Sequence, residues 1–389
     1  MTVSRRSVLH GAGGLAAAGA LSSAGIRPAM AQQNLPNLPS TMIWSCYDVG
    51  AAGYVEASAV ADALGKKYGT RVRLLPSGSS QGRVKPVMQG RASHGWLATE
   101  LYFAVEALYE YAAPDVGPQS LRTVMGRVNS LSIAVTKDSG IKTIADLKGK
   151  PFAYARSNTS VNAKIEPILA FGGLTIDDLD LVEFPGYGQT MKALVEGRAV
   201  AGGFAPSSSG LRELEASPQG IHWLELDTSD TEGWDRVRKA VPFVEPFKET
   251  IGAGLSEEKG VWMLGYRYPM ITVKTETPAD EVYAVTKAVV ESFDLYKDAN
   301  KVAPRWEAKI AGKPPMDAAM HEGAIRYFKE IGLWQPDHQQ WQEGMLARHE
   351  ALQQAWRKML AADPKLKQMD AKAVAKVWMP QRAEAIASL

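Results

Sequence analysis

Two short runs of small, hydroxylated residues are where this sequence could do chemistry. The first, Gly78-Ser79-Ser80-Gln81-Gly82, fits the G-x-S-x-G pattern of a nucleophile elbow and follows an expected strand. In that chemistry Ser80 attacks a carbonyl, and an acid and then a histidine should follow in chain order. His321, His338 and His349 lie downstream, but in polar, helical stretches rather than loops. The elbow would also fall on only the second strand, early for a hydrolase sheet. A secreted serine hydrolase built on Ser80 is therefore the alternative reading. The leading one takes the same residues as a loop opening a helix near Gln81, whose free backbone N–H groups and partial positive charge bind carboxylate or phosphate. Serine hydroxyls add adaptable donors, and plain helix capping is the structural alternative. The second run, Ala155-Arg156-Ser157-Asn158-Thr159-Ser160, again stands between a strand and a helix. Two such loops facing each other across a cleft suit a binding protein better than either loop alone. Ser79, Ser80, Ser157, Asn158 and Thr159 are thus candidate ligand contacts, with Arg156 either their counter-ion or an exposed structural arginine.

Other chemistry fails on inspection. His321-Glu322 is followed by Ile325 where a zinc-protease motif needs histidine, which makes His321 a helix-surface residue. Gly149-Lys150 runs into Pro151 with no glycine-rich loop before it, and Gly50 and Gly53 do not complete a dinucleotide fingerprint. The six histidines lack metal-ligand spacing. No metal and no cofactor are expected. Cys46, the only cysteine, cannot form an internal disulfide and reads as a small buried hydrophobe within the apolar run 42–47.

Alternating elements must position the two loops. Residues 42–47 read as a strand, 48–53 as a turn, 54–68 as a helix and 71–75 as a second strand, a βαβ unit with parallel strands. The alternation restarts with one long or two short strands over 121–136, a short helix over 141–148 and a strand over 151–155. A helix over 160–171 stops at Gly172-Gly173, and strand, helix and apolar segment follow at 179–184, 190–196 and 199–204. Residues 278–296 form an amphipathic helix with Val282, Val285, Val289 and Phe293 on one face. Residues 316–377 are helix-rich and are expected to pack on the first unit.

Composition bounds the class. With 389 residues, 46% hydrophobic and 22% charged, the chain has the make-up of an ordinary globular protein and room for two lobes, which excludes disordered and fibrous classes. Residues 1–31 differ: the charged start Ser4-Arg5-Arg6-Ser7, a weakly apolar stretch from Gly11 to Ile26 and Ala29-Met30-Ala31 read as a twin-arginine export signal. Residues 32–40 are a polar, proline-containing linker. The three arginines lost with the signal leave 41 of the 44 basic residues against 42 acidic ones. No basic block points to nucleic acid. Past the signal no run approaches the roughly 18–20 apolar residues that span a bilayer, so a soluble exported chain is expected.

The chain resembles the TAXI group of receptors for TRAP (tripartite ATP-independent periplasmic) transporters. The likeness rests on Val49-Gly50-Ala51-Ala52-Gly53-Tyr54, Ser77-Gly78-Ser79-Ser80-Gln81, Gln89-Gly90-Arg91-Ala92, the most specific string Ser139-Gly140-Ile141-Lys142-Thr143-Ile144-Ala145-Asp146-Leu147-Lys148-Gly149-Lys150, and Glu196-Gly197-Arg198-Ala199-Val200-Ala201-Gly202-Gly203-Phe204. The resemblance implies an α/β, two-lobed periplasmic binding protein of type II-like form, with hinge crossovers and a helical C-terminal region. Lobe I would be 41–131 with 266–389, and lobe II 132–265. It implies no enzyme activity, a periplasmic location, a small organic acid or amino-acid-like ligand, permease subunits as partners and a monomeric receptor. Service to a sensor instead of a transporter is the third possibility. It adds Tyr54 and Thr99 to the ligand contacts and lets Trp96 line an apolar wall or join the core. The loops 156–160 and 97–100 depart from the family pattern, so the ligand need not be the amino acid or dicarboxylate of other members.

Overall fold

The computed structural model describes residues 37–240, 244–387 and 389. The expected export signal and the linker as far as residue 36 lie outside these described residues. β1 (Thr41–Tyr47), α1 (Ala52–Tyr68) and β2 (Arg71–Ser77) form the βαβ unit, with β1 and β2 parallel and Thr41 opposite Arg71. Helix α1 buries Ala57, Val60, Ala63 and Leu64, spaced three and four apart, and stops at Gly69, whose left-handed φ of 73° suits glycine. α2 (Ser80–Met88), β3 (His94–Leu97) and α3 (Glu100–Glu106) follow, with β3 parallel to β1.

β4 (Leu121–Thr136) is one continuous strand. A second parallel unit then forms from β5 (Pro151–Ala155), α4 (Thr159–Phe171), β6 (Asp180–Phe184), α5 (Tyr187–Val195) and β7 (Ala201–Phe204), β5 lying between β6 and β7. α6 (Leu211–Ala216), β8 (Ile221–Trp223), α7 (Thr231–Ala240) and β9 (Glu245–Glu249) lead to the long β10 (Val261–Lys274). The strand order is β2-β1-β3-β10-β4-β7-β5-β6, with β8 beside β4 and β9 beside β10. β4 pairs with β10 from Leu121 to Leu131 and with β7 from Ser132 to Val135, so one strand serves both sheets. The β4–β10 register shifts between Arg267 and Met270, where Pro269 has no N–H to give to the ladder.

The remaining helices are α8 (Ala279–Glu291), α9 (Phe293–Tyr296), α10 (Ala308–Ala311), α11 (Glu322–Glu330), α12 (Pro336–Ala362) and α13 (Ala371–Ala387). α12 and α13 meet through an edge-to-face Trp356–Trp378 pair with centroids 5.0 Å apart. Trp378 Nε1 donates to the Glu106 carbonyl at 3.0 Å, and the buried Glu106 carboxylate takes Arg348 and Arg382, which ties both helices to α3.

Three sequence expectations are corrected. Residues 141–148 hold only a 3-10 turn over Ala145–Leu147, because Asp146 Oδ2 accepts from the N–H groups of Lys142 and Thr143 and fixes a tighter turn. The helix expected over 278–296 is interrupted at Ser292. His321 is not a surface residue: it is 3% exposed and caps α11, its Nδ1 accepting from Gly323 N–H at 3.2 Å.

The largest apolar cluster gathers around β5, β7 and α4, with Phe152, Ile165, Ile168 and Phe204, and it also takes in Tyr47, Ala51, Ala52 and Ala98 from the first unit. Trp96 belongs to a second cluster, between Trp44 and Trp306 at centroid distances of 5.5 and 5.0 Å, and is core. Cys46 is buried too, and burial pushes its thiol up to about 12, which leaves it inert.

Candidate functional site at the junction of the two sheets

The loops at the carboxyl ends of parallel strands converge where the two units meet. The turn after β1, the serine loop after β2 and the loops after β5, β6 and β7 enclose an open groove of about 810 Å³, lined by Asp48, Gly78, Ser79, Ser157, Gly186 and Ser209 among others. Ligands of open α/β folds bind outside the carboxyl ends of strands in this way.

Both sequence-marked loops open helices and cap them. Ser79 Oγ accepts from Gly82 N–H at 3.1 Å at the start of α2, and Asn158 Oδ1 accepts from Val161 N–H at 3.3 Å at the start of α4. The two helix starts also touch. Ser80 N–H donates to the Ser157 carbonyl at 3.1 Å, and Ser160 N–H donates to Ser80 Oγ at 3.1 Å. Gly188 N–H at the start of α5 reaches Asp48 Oδ2 at 3.1 Å, and Ser209 Oγ donates to the Gly50 carbonyl at 2.9 Å. A Cβ at position 78 would lie 3.1 Å from Asp48 Oδ2 and 3.3 Å from Gly186 Cα, so a side chain there makes these neighbours across the junction give way.

Behind these contacts lies a buried charged cluster that the motif reading missed. Arg83 Nε donates to Glu100 Oε1 at 2.7 Å, its guanidinium lies 3.6 Å from the centre of the Tyr47 ring, and its NH2 reaches Ser80 Oγ and Asn158 Oδ1 at 3.4 Å. Burial would raise the Glu100 carboxyl, but the charge and hydrogen bond of Arg83 overcome it and hold the group below the usual carboxylate range. Lys164, 1% exposed, gives its ammonium protons to Thr99 Oγ1 at 3.0 Å, to Ser160 Oγ at 3.2 Å and to the Ser160 carbonyl, with the Tyr266 ring centre 4.6 Å away. It has no ion pair among the described residues, and burial pulls its amine down to about 7 against the pull of Glu100 and Asp317. Burial pushes the facing Asp317 up to about 7, against the lowering charge of Lys164. A third buried cation, Arg127, is held by both oxygens of Glu56 at 2.6 Å and bonds Asn129, which bonds the Tyr266 hydroxyl in turn.

The structure thus gathers Ser79, Ser80, Ser157, Asn158, Thr159 and Thr99 around one junction. Thr159 there faces Glu110. It does not bring the other two. Tyr54 is half-buried against the cluster of Trp44 and Trp96. Arg156, 72% exposed at its side chain, forms an ion pair with Glu183, which holds its guanidinium at the surface. No histidine is hydrogen-bonded to Ser80 among the described residues; its hydroxyl accepts from Ser160 N–H and Arg83, so the base an elbow serine needs is missing there.

A signal for Lys164 exists in the sequence. It stands three residues after Val161 and four before Ile168, on the apolar stripe of its helix, where a lysine is out of place unless it has work to do.

Two parallel α/β units linked through β10 and β4, with strand ends converging where they meet, make a two-unit α/β fold. The chain matches the NMT1-like family over residues 49–332 and belongs to it. No curated protein matches it. Among solved structures it is similar to the alkanesulfonate-binding protein SsuA from Xanthomonas axonopodis pv. citri bound to MOPS, at 15% identity, covering 75% of this chain and 84% of that one, with a TM-score of 0.43. A periplasmic transporter is similar at 14% identity, 78% and 96% coverage and a TM-score of 0.47. The nitrate-binding protein NrtA from Synechocystis PCC 6803 is similar at 12%, 67% and 63% coverage, with a TM-score of 0.42. Among the described residues no helix is long and apolar enough to cross a membrane.

Proposed function

We propose that the chain is an extracytoplasmic receptor that captures a small anionic organic solute between its lobes and delivers it to the membrane subunits of a TRAP-type transporter. The lobes that move are 41–131 with 266–389 and 132–265, joined through β4 and β10. The observation that carries the reading is the meeting of the α2 and α4 helix starts at Ser80, Ser157 and Ser160, with Lys164, which has no ion pair among the described residues, beside them. Opening the junction would free N–H donors of both helix starts, where an anion binds well. Ser79, Ser80, Thr99, Ser157, Asn158 and Thr159 are the proposed contacts, with Lys164 and Arg83 supplying charge. Delivery to a TRAP permease rests on the TAXI-like segments, above all the string 139–150. Co-purification of the receptor with permease subunits encoded beside it tests that step, and a neighbouring sensor kinase in their place would favour signalling.

A further inference from the structure

A second cavity, of about 430 Å³, lies between α2 and residues 110–119; it shares no lining residue with the groove described above, though Glu110 in its wall bonds Thr159 at the junction. Its α2 wall is Gln81, Val84, Lys85, Met88 and Gln89, positions three and four apart that share one helix face. The floor is apolar, made by Val84, Met88, Val116 and the ring of Tyr111. Tyr111 is 3% exposed and sets its ring in the wall. Glu110, Asp115 and Lys85 are the charged residues of the lining. None of the three is in an ion pair among the described residues, so the lining carries two carboxyl groups against one ammonium. Burial pushes the Glu110 carboxyl above the usual range, and a cation beside it would reverse that. A volume of this size falls within the range of small-molecule sites, which pair an apolar floor with few convergent polar groups.

We propose that this cavity is a second ligand site and takes a small primary amine with an aromatic body. The ammonium sits between Glu110 and Asp115, and the ring lies on Val84 and Met88, against the Tyr111 ring. The free amine and the ammonium end of an aromatic amino acid offer the same chemistry, and the probes separate them.

The test is calorimetry on the whole exported chain with phenethylamine, phenylalanine and phenylacetate. Phenethylamine should bind at one site, weakened about tenfold or more by Glu110→Gln and less by the exposed Asp115→Asn, which cannot disturb folding. Met88→Trp should block the site, with an unchanged melting temperature showing the fold intact. Lys164→Met, in the interlobe junction, should leave amine binding alone, so this site and the anion cleft succeed or fail separately. Phenylalanine binding with the same dependence on Glu110 would support the site and name an amino acid as its source. The proposal is overturned if neither amine binds, if binding survives both Glu110→Gln and Met88→Trp, or if phenylacetate binds more tightly than phenethylamine.

Discussion

Lys164 is the residue whose situation says most about the site. An ammonium taken from water into a cluster of neutral oxygens and an aromatic ring is unfavourable unless charge arrives to meet it. The groups facing it are Glu100 on α3, Asp317 before α11, Arg83 on α2 and Tyr266 on β10. Its amine titrates at about 7 in the closed junction against 10.5 in water. Between those values the unfolded chain holds the proton and the closed form does not, so stability rises with pH there and the gain is absent below about 7. Melting temperatures of the ligand-free protein should therefore climb from pH 7 to 10, and Lys164→Met should flatten the climb. Asp317 acts in the other direction: raised from 3.8 to about 7, it stabilises the closed form below its unfolded value and loses that effect as pH rises through 7. Asp317→Asn should remove a fall in stability between those values. An anionic solute bound beside Lys164 should draw its proton back, so calorimetry at pH 8 in two buffers of different ionisation enthalpy should show proton uptake, lost in Lys164→Met. The serines and Asn158 could be read as helix starts because small hydroxylated residues between a strand and a helix cap its first turn. Arg83 and Glu100 were not, since charges inside helices usually face water and only the folded chain shows these two buried; Lys164 was marked only by its place on an apolar stripe.

Among the elements, the short helices at the junction depend on their caps. Removing the Asn158 side chain should cost about 1 kcal/mol of stability and also weaken solute binding, because the same oxygen accepts from Arg83. The C-terminal helices offer a contrast. Glu106→Ala would strand Arg348 and Arg382, both mostly buried against it, at a cost of roughly 3–5 kcal/mol. Denaturant unfolding should show that loss while solute affinity is kept, since neither arginine reaches the groove. Periodicity revealed β1, α1 and β2 because their apolar residues alternate or recur at the spacing of one buried face. It failed at 141–148, where the Asp146 carboxylate takes up N–H groups that a helix would leave pointing at solvent, a local competition that hydrophobic spacing does not record.

For the whole molecule, β4 and β10 matter most, since β10 pairs with β3 of the first bundle, β4 with β7 of the second and the two with each other, so any opening between the bundles must bend this pair. The resemblance in the sequence was enough to expect two lobes, but not the closeness of their approach at Gly78 and Gly186. Gly78→Leu places a side chain where only 3.1 Å is free to Asp48. It should hold the lobes apart, abolish compaction on ligand binding in solution scattering and spare thermal stability. The central claim is most directly tested by screening the purified exported chain for thermal shifts against organic acids, amino acids and aromatic carboxylates, with calorimetry on each hit. A receptor holding a ligand at a hundred times its Kd gains about 2.7 kcal/mol of apparent stability. The account predicts an anionic hit recovered unchanged, with affinity reduced by Ser80→Ala and Lys164→Met. A compound consumed in solution, with turnover abolished by Ser80→Ala, would contradict it.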